Sequence, residues 1–321
     1  MTVQVDAQGN LCHLLDIENL NATMITRILD QAQQFFVPNS RSFRETQQLR
    51  HKTVVNLFYE PSTRTRATFE LAAKRLGANV LNFEVNNSSS NKGESLEDTV
   101  RNLQAMQCEL LVIRHAASGA AHFLAQQMRQ HMHIINAGDG CHAHPTQALL
   151  DLYTIRQHRG DFRQLKVAIV GDVLHSRVAR SQIHALNLMQ TGEVRVIAPK
   201  TLLPPQASSL GVQVFHDLSR GLAQVDVIIM LRLQQERMQK GLLPPVGAYY
   251  RAFGLTPRSI AAAAPNALII HPGPINRGVE IDSELADGPN AVILDQVTNG
   301  VAIRMAVLAI LANANNGIAQ R

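Results

Sequence analysis

The sequence of 321 residues contains no tryptophan, only 4% aromatic residues, and three cysteines: Cys12, Cys108 and Cys141. Few aromatic side chains leave little for the base stacking by which many proteins bind single-stranded nucleic acid. An odd number of scattered cysteines argues against a disulfide framework and favours a reducing compartment. No apolar run of about 18 residues is present, which argues against a transmembrane helix. A basic segment followed by an apolar stretch is missing after Met1, so we expect no signal peptide and a cytoplasmic location.

Charged residues are few, and basic residues outnumber acidic ones. Lys and Arg number 30 against 25 Asp and Glu, giving a formal net charge of +5, while charged residues make up 17% of the chain. Such a balance suits nucleic acid, a membrane surface or small anionic substrates. No four basic residues are consecutive and aromatic residues are few, which argues against nucleic acid. The positions of the basic residues, given below, favour small anionic substrates, so we expect neither nucleic acid nor a membrane as partner. Hydrophobic residues at 45% are ordinary for a globular protein, and the length suits about two domains.

Short segments rich in valine and isoleucine alternate with segments of helical pattern. In the first half, the segments that begin at 53, 79, 109 and 133 have nearly the spacing of βαβ units, which is roughly 30 residues. In the second half, strands are predicted at 166–170, 194–198, 226–231, 267–270 and 291–294. Near-continuous apolar strands indicate parallel sheets covered on both faces. The sequence therefore predicts an α/β fold of two doubly wound parallel-sheet domains.

Two further helices complete this prediction. Residues 145–159 form an amphipathic segment followed by glycine, which predicts a helix connecting the two domains. Residues 301–315 are apolar on most sides, so they predict a buried C-terminal helix that packs back on the first domain. We expect the first domain at 1–150, joined by the C-terminal helix at 299–321, and the second domain at 151–298.

A cluster of hydroxyls and guanidiniums follows the first predicted strand, at Ser62-Thr63-Arg64-Thr65-Arg66, just where a helix is predicted to begin. Free N–H groups and the positive dipole end make a helix N-terminus an anion site. Arginine can hold phosphate oxygens through two parallel hydrogen bonds. An ordinary helix cap with solvated arginines remains the alternative at this point. The Gly-rich pattern of a P-loop is missing from this segment.

Basic side chains also follow other predicted strands: Arg114 and Arg232 at strand ends, and Arg177 in the first turn of the helix after strand 166–170. A further strand ends in the rigid turn His271-Pro272-Gly273-Pro274. Each of these alone also fits a solvated surface residue or a simple chain stop. Ligands of open parallel sheets bind outside the carboxyl ends of strands, so together these residues predict one cleft for two small anionic substrates. The segment after residue 170 does not complete a dinucleotide fingerprint, and we expect no cofactor.

The segment Cys141-His142-Ala143-His144 holds three potential metal ligands. Three ligands in four residues cannot easily surround one ion, and no second ligand pair follows at a typical spacing. We therefore expect no metal here. The alternatives are a capping turn before Pro145 and a site in which His144 donates a hydrogen bond to a polarised carbonyl.

The segment 62–66, taken with His144-Pro145-Thr146-Gln147, resembles the aspartate/ornithine carbamoyltransferase family, and the resemblance covers nearly the whole chain from about Leu14. The aspartate branch is the more similar one. Residues 87–94 look like its Ser-and-Lys loop, and residues 232–237 look like its Arg-x-Gln-x-Glu-Arg element. The cysteine of the ornithine branch's His-Cys-Leu-Pro motif is missing at His271-Pro272-Gly273, although some members carry Leu where Gly273 stands.

The resemblance implies transfer of the carbamoyl group from carbamoyl phosphate to L-aspartate, giving N-carbamoyl-L-aspartate and phosphate, the committed step of pyrimidine synthesis. Implied catalytic residues are Thr65, Arg114 and His144. Implied ligands of carbamoyl phosphate are Ser62, Thr63, Arg64, Thr65, Ser88, Lys92, Arg114, His144 and Gln147. Implied ligands of aspartate are Lys92, Arg177, Arg232, Gln234, Pro272 and Gly273.

The resemblance also implies a homotrimer in which Ser88 and Lys92 enter the site of a neighbouring subunit. A larger assembly with a regulatory or dihydroorotase-like chain is compatible with it. Three alternatives stay open at this point: another amino acceptor such as ornithine, a non-catalytic subunit that keeps the fold, and a nucleic-acid binder.

Overall fold

The computed structural model describes residues 3–38, 40, 42–84, 94–128, 132–233 and 245–314. The chain divides into two compact units. The first unit comprises Met1–Leu149 with Val297–Arg321, and the second comprises Leu150–Gln296. The chain passes from one unit to the other within two helices, at 145–159 and at 293–314.

The first unit is built on a four-stranded parallel sheet with the strand order β2-β1-β3-β4. Its strands are β1 (Thr53–Phe58), β2 (Asn79–Glu84), β3 (Leu110–His115) and β4 (His133–Asp139). Its helices are α1 (Ala22–Gln34), α2 (Thr63–Arg75), α3 (Leu96–Ala105) and α4 (Ala120–Gln127), and α5 (Pro145–Arg159) begins at its edge. Every residue of β4 is buried, as expected for a strand covered on both faces of the sheet.

The second unit is built on a five-stranded parallel sheet with the strand order β7-β6-β5-β8-β9. Its strands are β5 (Lys166–Val170), β6 (Glu193–Ile197), β7 (Gln213–Phe215), β8 (Val227–Met230) and β9 (Leu268–Ile270). Its helices are α6 (Arg177–Leu188), α7 (Leu218–Leu222), α8 (Val246–Phe253), α9 (Pro257–Ile260) and α10 (Ser283–Ala286), and α11 (Ile293–Ala314) leads out of it. The two sheets confirm the predicted parallel α/β fold.

The C-terminal helix packs on the first unit, as predicted, and begins earlier than the sequence suggested. The Arg304 guanidinium stacks over the Phe69 ring of α2, 5.0 Å from its centroid. By length and composition alone, this one described helix is apolar enough to cross a membrane, yet 78% of its most apolar stretch is buried inside the protein. That burial is the pattern of a core helix.

The strand predicted at 291–294 is wrong. Ile293 and the residues after it form the first turn of α11. Within the described part of the chain, only an isolated bridge joins the preceding residues to the sheet: Ala291 pairs with Ile269, whose N–H donates to the Asn290 carbonyl and whose carbonyl accepts the Val292 N–H. A run of four apolar residues has no periodicity that separates a strand from the start of a buried helix. The apolar pattern that continues beyond Asp295 decides for the helix.

Candidate active site

Each sheet reverses its strand order at one point, and the predicted ligand-binding residues follow the strands at these points. In the first unit the reversal lies between β1 and β3, and in the second unit between β5 and β8. The crevice at the carboxyl ends of such strands is the usual ligand site of an open parallel sheet. Residues 62–65 follow β1, Arg114 lies in β3, Arg177 begins the helix after β5, and Arg232 follows β8.

The start of α2 has the features of an anion site. Ser62 occupies the N-cap position, yet its side chain makes no capping hydrogen bond, and the first turn contains no acidic residue. The first backbone bond of the helix runs from the Arg66 N–H to the Ser62 carbonyl at 3.1 Å. The N–H groups of the first helical residues therefore point out of the helix end, where the helix dipole favours negative charge.

The side chains of this turn divide between the surface and the interior. Thr63 and Arg64 are exposed and Ser62 is half-buried, whereas Thr65 is buried. The turn is held from inside by the Thr68 hydroxyl, which donates to the Arg64 carbonyl at 2.7 Å. The three hydroxyl groups and the guanidinium thus lie in one turn at the helix end, and anion binding there stays a prediction.

Arg114 lies on the neighbouring strand at the same edge of the sheet. It pairs in register with Phe58, and its carbonyl accepts a hydrogen bond from the Tyr59 N–H at 2.9 Å. Its guanidinium donates to the Ala137 carbonyl at 3.1 Å, and its Nε lies 3.6 Å from Glu60 Oε2. These contacts fix a mostly buried cation beside the start of α2.

His144 and Gln147 reach the same edge through a tight turn after β4. Asp139 is buried, and its carboxylate accepts hydrogen bonds from the Asn136 amide at 2.8 Å and the Ala143 N–H at 3.0 Å. His144 and Gln147 are both buried, on either side of Pro145 and Thr146 at the start of α5.

Two features of this turn depend on chemistry at single positions. Burial would raise the pKa of Asp139, but hydrogen bonds from His142, Asn136 and the Gly119 N–H outweigh it and hold the pKa below its ordinary value. Gly140 has a φ of +45°, and a Cβ there would lie 2.2 Å from the Ser118 hydroxyl oxygen. The turn therefore requires glycine at this position.

In the second unit, Arg177 begins α6 and is only 3% exposed. Ser176 caps this helix by accepting the Ala179 N–H at 3.1 Å. Ahead of it, the buried Asp172 carboxylate accepts hydrogen bonds from the His175 N–H at 3.1 Å and is joined to the His175 ring at 2.9 Å. The helix dipole opposes a cation in the first turn, so this placement of Arg177 suits an anionic ligand.

A buried carboxylate, Glu280, organises the segment that carries Arg232. Its Oε1 accepts the Leu233 N–H at 3.0 Å and the Asn276 amide at 2.7 Å, while its Oε2 accepts the Asn276 N–H at 2.8 Å. Burial raises the pKa of Glu280, although these hydrogen bonds and the charge of Arg232 act in the opposite direction. Glu280 thus joins the end of β8 to the loop that follows residues 271–274.

The turn after β9 is fixed by hydrogen bonds of His271. The Gly273 N–H donates to His271 Nδ1 at 2.8 Å, and the His271 N–H donates to Gln296 Oε1 at 2.9 Å. Gln296 in turn donates to the buried carboxylate of Asp151 at 2.6 Å. Gly273 has a φ of +63°, which glycine adopts readily and leucine does not, so the turn explains the residue found there.

The predicted residues thus fall into two groups, one in each unit. The first-unit cluster holds Ser62, Thr63, Arg64, Thr65, Arg114, His144 and Gln147 at one sheet edge. The second-unit cluster holds Arg177, Arg232, Pro272 and Gly273. Ser88, Lys92 and Gln234 lie outside the described residues.

Sequence reasoning missed the carboxylates behind both clusters: Glu60, Asp172 and Glu280. Glu60 lies between the first predicted strand and the Ser62–Arg66 segment, and Asp172 follows the predicted strand 166–170. Both could have been identified from these positions after strands. Glu280 interrupts the apolar pair Val279 and Ile281, and a single acid in such a run is a signal for a buried, hydrogen-bonded carboxylate.

Comparison with known proteins gives matches over nearly the whole chain. The family model described as aspartate/ornithine carbamoyltransferase, carbamoyl-P binding domain, matches residues 12–157. The model described as the Asp/Orn binding domain of the same family matches residues 163–311.

Solved structures agree with these matches. Aspartate transcarbamoylase from Trypanosoma cruzi, in complex with carbamoyl aspartate and phosphate, is 29% identical with a TM-score of 0.82, covering 96% of this chain and 98% of that one. The catalytic subunit of M. jannaschii aspartate transcarbamoylase is 33% identical with a TM-score of 0.80, covering 96% and 100%. Ornithine carbamoyltransferase from Pyrococcus furiosus is 26% identical with a TM-score of 0.82, covering 94% and 97%.

Proposed function

The chain belongs to the aspartate/ornithine carbamoyltransferase family, and we propose that within it L-aspartate is the amino acceptor. The reaction is then carbamoyl phosphate plus L-aspartate giving N-carbamoyl-L-aspartate and phosphate. Both aspartate and ornithine enzymes are similar to this chain in structure, so the choice of acceptor rests on the second-unit cluster.

The observation that carries the choice is the pair of arginines at the strand reversal of the second unit. Arg232 closely follows β8, and Arg177 begins the helix that follows the adjacent strand β5. Aspartate presents two carboxylates, which two guanidiniums can bind. Ornithine presents one carboxylate and an ammonium group that the second arginine would repel. Both oxygens of Glu280 accept local hydrogen bonds, whereas in Asp172 only Oδ1 does so among the described residues, through His175. Both carboxylates are buried, so neither offers that ammonium an exposed partner.

The first-unit cluster supplies the carbamoyl-phosphate site in this proposal. The phosphate lies at the start of α2, against its N–H groups, the hydroxyls of Ser62 and Thr63, and Arg64. Arg114 spans the phosphate and the carbonyl oxygen, and His144 with Gln147 holds the carbamoyl group. Ser88 and Lys92 of a neighbouring subunit add contacts to carbamoyl phosphate.

Chemistry at this site needs positioning and charge stabilisation. The neutral amine of aspartate attacks the carbamoyl carbon, a C–N bond forms, and the tetrahedral oxyanion is met by donors from Thr65, Arg114 and His144. The C–O bond to phosphate then breaks, and the leaving phosphate accepts the proton that the amine loses. Arginines offset the repulsion between two anionic substrates brought together.

We extend the proposal to the setting of the reaction. The product suits pyrimidine synthesis in the cytoplasm, and the three cysteines, all in the described part of the chain, are free thiols there. Ser88 and Lys92 act in the site of a neighbouring subunit, which makes the enzyme a homotrimer with shared sites. Lys92 and Gln234 join Arg177, Arg232 and the Pro272-Gly273 turn around aspartate.

The first test compares acceptors in steady-state assays with carbamoyl phosphate. We expect carbamoylation of L-aspartate and little or none of L-ornithine, because the two arginines match two carboxylates. Carbamoylation of ornithine with no reaction of aspartate would contradict the proposal and favour the other branch of the family.

Arg64→Ala separates a catalyst from a fold-retaining subunit without activity. In a catalyst, loss of this guanidinium should cost about 3 kcal/mol or more of transition-state stabilisation, the upper range for a single donor. Arg44→Ala, a change at an exposed arginine ahead of β1, is the control and should keep native activity. A native chain that is inactive with every acceptor would support the alternative of a non-catalytic subunit that keeps the fold.

A further inference from the structure

One cluster of possible metal ligands in the first unit has no part in the proposed reaction. His122 in α4 and Asp139 with His142 in the turn after β4 each offer one ligand atom, and these three atoms lie within 4.8 Å of one another. His122 and His142 are 30% and 26% exposed, so an ion has a path from solvent. His142 Nδ1 is already 3.1 Å from Asp139 Oδ2.

A buried carboxylate fixes the His122 ring. Nε2 of His122 lies 2.8 Å from Oδ2 of Asp16, whose carboxylate also accepts hydrogen bonds from the Asn19 N–H at 2.8 Å and the Asn19 amide at 2.9 Å. The Asp16 carboxylate thus acts as an acceptor, so the hydrogen bond from the ring places the proton of His122 on Nε2.

The other nitrogen of the ring then carries a lone pair. Nδ1 of His122 is buried and accepts no hydrogen bond from any residue in the described part of the chain. Buried ring nitrogens ordinarily have a partner. A histidine that donates one N–H to a carboxylate while its other nitrogen faces further ligand groups is the usual arrangement around protein-bound zinc.

We propose that His122 Nδ1, Asp139 and His142 bind one divalent transition-metal ion of the zinc class, with Asp16 orienting His122. Two imidazoles and one carboxylate are a ligand set that zinc accepts, with a fourth position left for solvent. Ligand atoms about 2.1 Å from a tetrahedral ion lie about 3.4 Å apart. His142 Nδ1 and Asp139 Oδ2, 3.1 Å apart, are already close to this spacing, so the His122 ring needs the main adjustment.

The ion would join three segments of the first unit: the N-terminal segment through Asp16, α4 through His122, and the turn that leads to His144. This explains why the sequence pattern alone argued against a metal at 141–144. His142 is one ligand of the proposed site, while Cys141 and His144 are outside it, and the remaining ligands come from distant parts of the chain.

The test uses the full chain, freed of metal by a chelator, and Co²⁺ as a spectroscopic probe for the zinc site. We expect one Co²⁺ per chain, a visible absorption band without sulfur-to-cobalt charge transfer, and displacement by Zn²⁺ with a rise in the midpoint of thermal unfolding. His122→Gln and His142→Gln should each abolish this band. Asp16→Asn should weaken binding about 10- to 100-fold.

His158→Gln is the matched control, because His158 forms a comparable pair with Asp295, with 3.4 Å between Nε2 and Oδ2, and belongs to no cluster of three ligands among the described residues. It should leave Co²⁺ binding unchanged. Circular dichroism checks that every variant is folded. Absence of Co²⁺ binding to the native chain, equal binding to native and His122→Gln chains, or a sulfur charge-transfer band would each overturn the proposal.

Discussion

Two carboxylates, the partly buried Glu60 and the fully buried Glu280, contact the arginine-bearing segments of this enzyme. Glu60 lies against Arg114 in the first unit, and Glu280 ties the strand end that carries Arg232 to Asn276 in the second. Such a group costs free energy to bury and is kept only where hydrogen bonds compensate for lost solvation. We infer that Glu280 is a positioning residue for aspartate binding, acting through Arg232 and Leu233.

Glu280→Gln tests this role. An amide supplies only one oxygen for three donors and brings N–H groups against them, so we expect a loss of about 1–3 kcal/mol in the free energy of unfolding. The KM for aspartate should rise about tenfold or more, with a smaller change in the KM for carbamoyl phosphate. The exposed Glu284→Gln is the control and should change neither KM nor stability. Equal increases in both KM values would indicate a merely structural role.

At the scale of elements, turns between strand and helix set the positions of the site residues. The turn from Asp139 to His144 depends on the left-handed Gly140, whose Cα lies close to Ser118. Gly160, after α5, is also left-handed with a φ of +74°, but a Cβ there would meet nothing within 4 Å. An alanine at Gly160 would therefore introduce backbone strain alone, whereas an alanine at Gly140 would introduce both strain and steric overlap.

We predict different results for alanine at these two positions. Gly160→Ala should lower the free energy of unfolding by about 1–2 kcal/mol, the cost of a left-handed residue with a Cβ. Gly140→Ala adds the overlap with Ser118, so its cost should reach about 3 kcal/mol or more. Only Gly140→Ala should raise the KM for carbamoyl phosphate, because it displaces the turn before His144. Equal effects in denaturant unfolding would refute the packing argument.

The same scale shows what the sequence predicts and why some elements escape prediction. The strand at 166–170 and the helix at 145–159 have the predicted bounds. The strand is a clear apolar run between polar residues. The helix is not amphipathic as predicted, because residues 145–155 are all buried, and its bounds follow instead from Pro145 at its start and Gly160 after its end. Strand β7 was missed because only three residues form it, at the edge of its sheet. The residues at 291–294 were misassigned because a four-residue apolar run lacks periodicity.

The site shows the same division between local and long-range information. Four arginines could be found because they follow predicted strands, which is visible in the sequence. Arg114 and Arg232 lie at strand ends, and Arg64 and Arg177 lie in the first turns of the helices that follow strands. The ligand pairing of His122 with Asp139 and His142 could not, because it depends on how α4 packs against the turn after β4. Contacts between residues far apart in the chain produce no pattern in the local sequence from which they could be predicted.

At the scale of the whole molecule, the proposed trimer makes each active site depend on two subunits. Arg64 and Arg177 are proposed to serve their own subunit, whereas Lys92 serves its neighbour. A substitution of Arg64 therefore damages the site of its own subunit, whereas a substitution of Lys92 damages the site of the neighbouring subunit.

Hybrid trimers test this arrangement. Lys92→Ala and Arg64→Ala chains, each inactive alone, should regain activity when mixed and reassembled, because every mixed trimer contains one site without a defect. Arg64→Ala mixed with Arg177→Ala is the control. Both defects then lie in the sites of their own subunits, and no activity should return. An absence of recovery in the first mixture, with reassembly verified by labelled subunits, would contradict shared sites.

The central claim is that this carbamoyltransferase selects aspartate, and competition in one tube tests it most directly. The purified chain is given carbon-13-labelled carbamoyl phosphate with equal concentrations of L-aspartate and L-ornithine, and Arg64→Ala serves as the blank. We predict that N-carbamoyl-L-aspartate exceeds citrulline by about a hundredfold or more in the NMR spectrum, because only aspartate matches both Arg177 and Arg232. Citrulline as the main product would contradict the account.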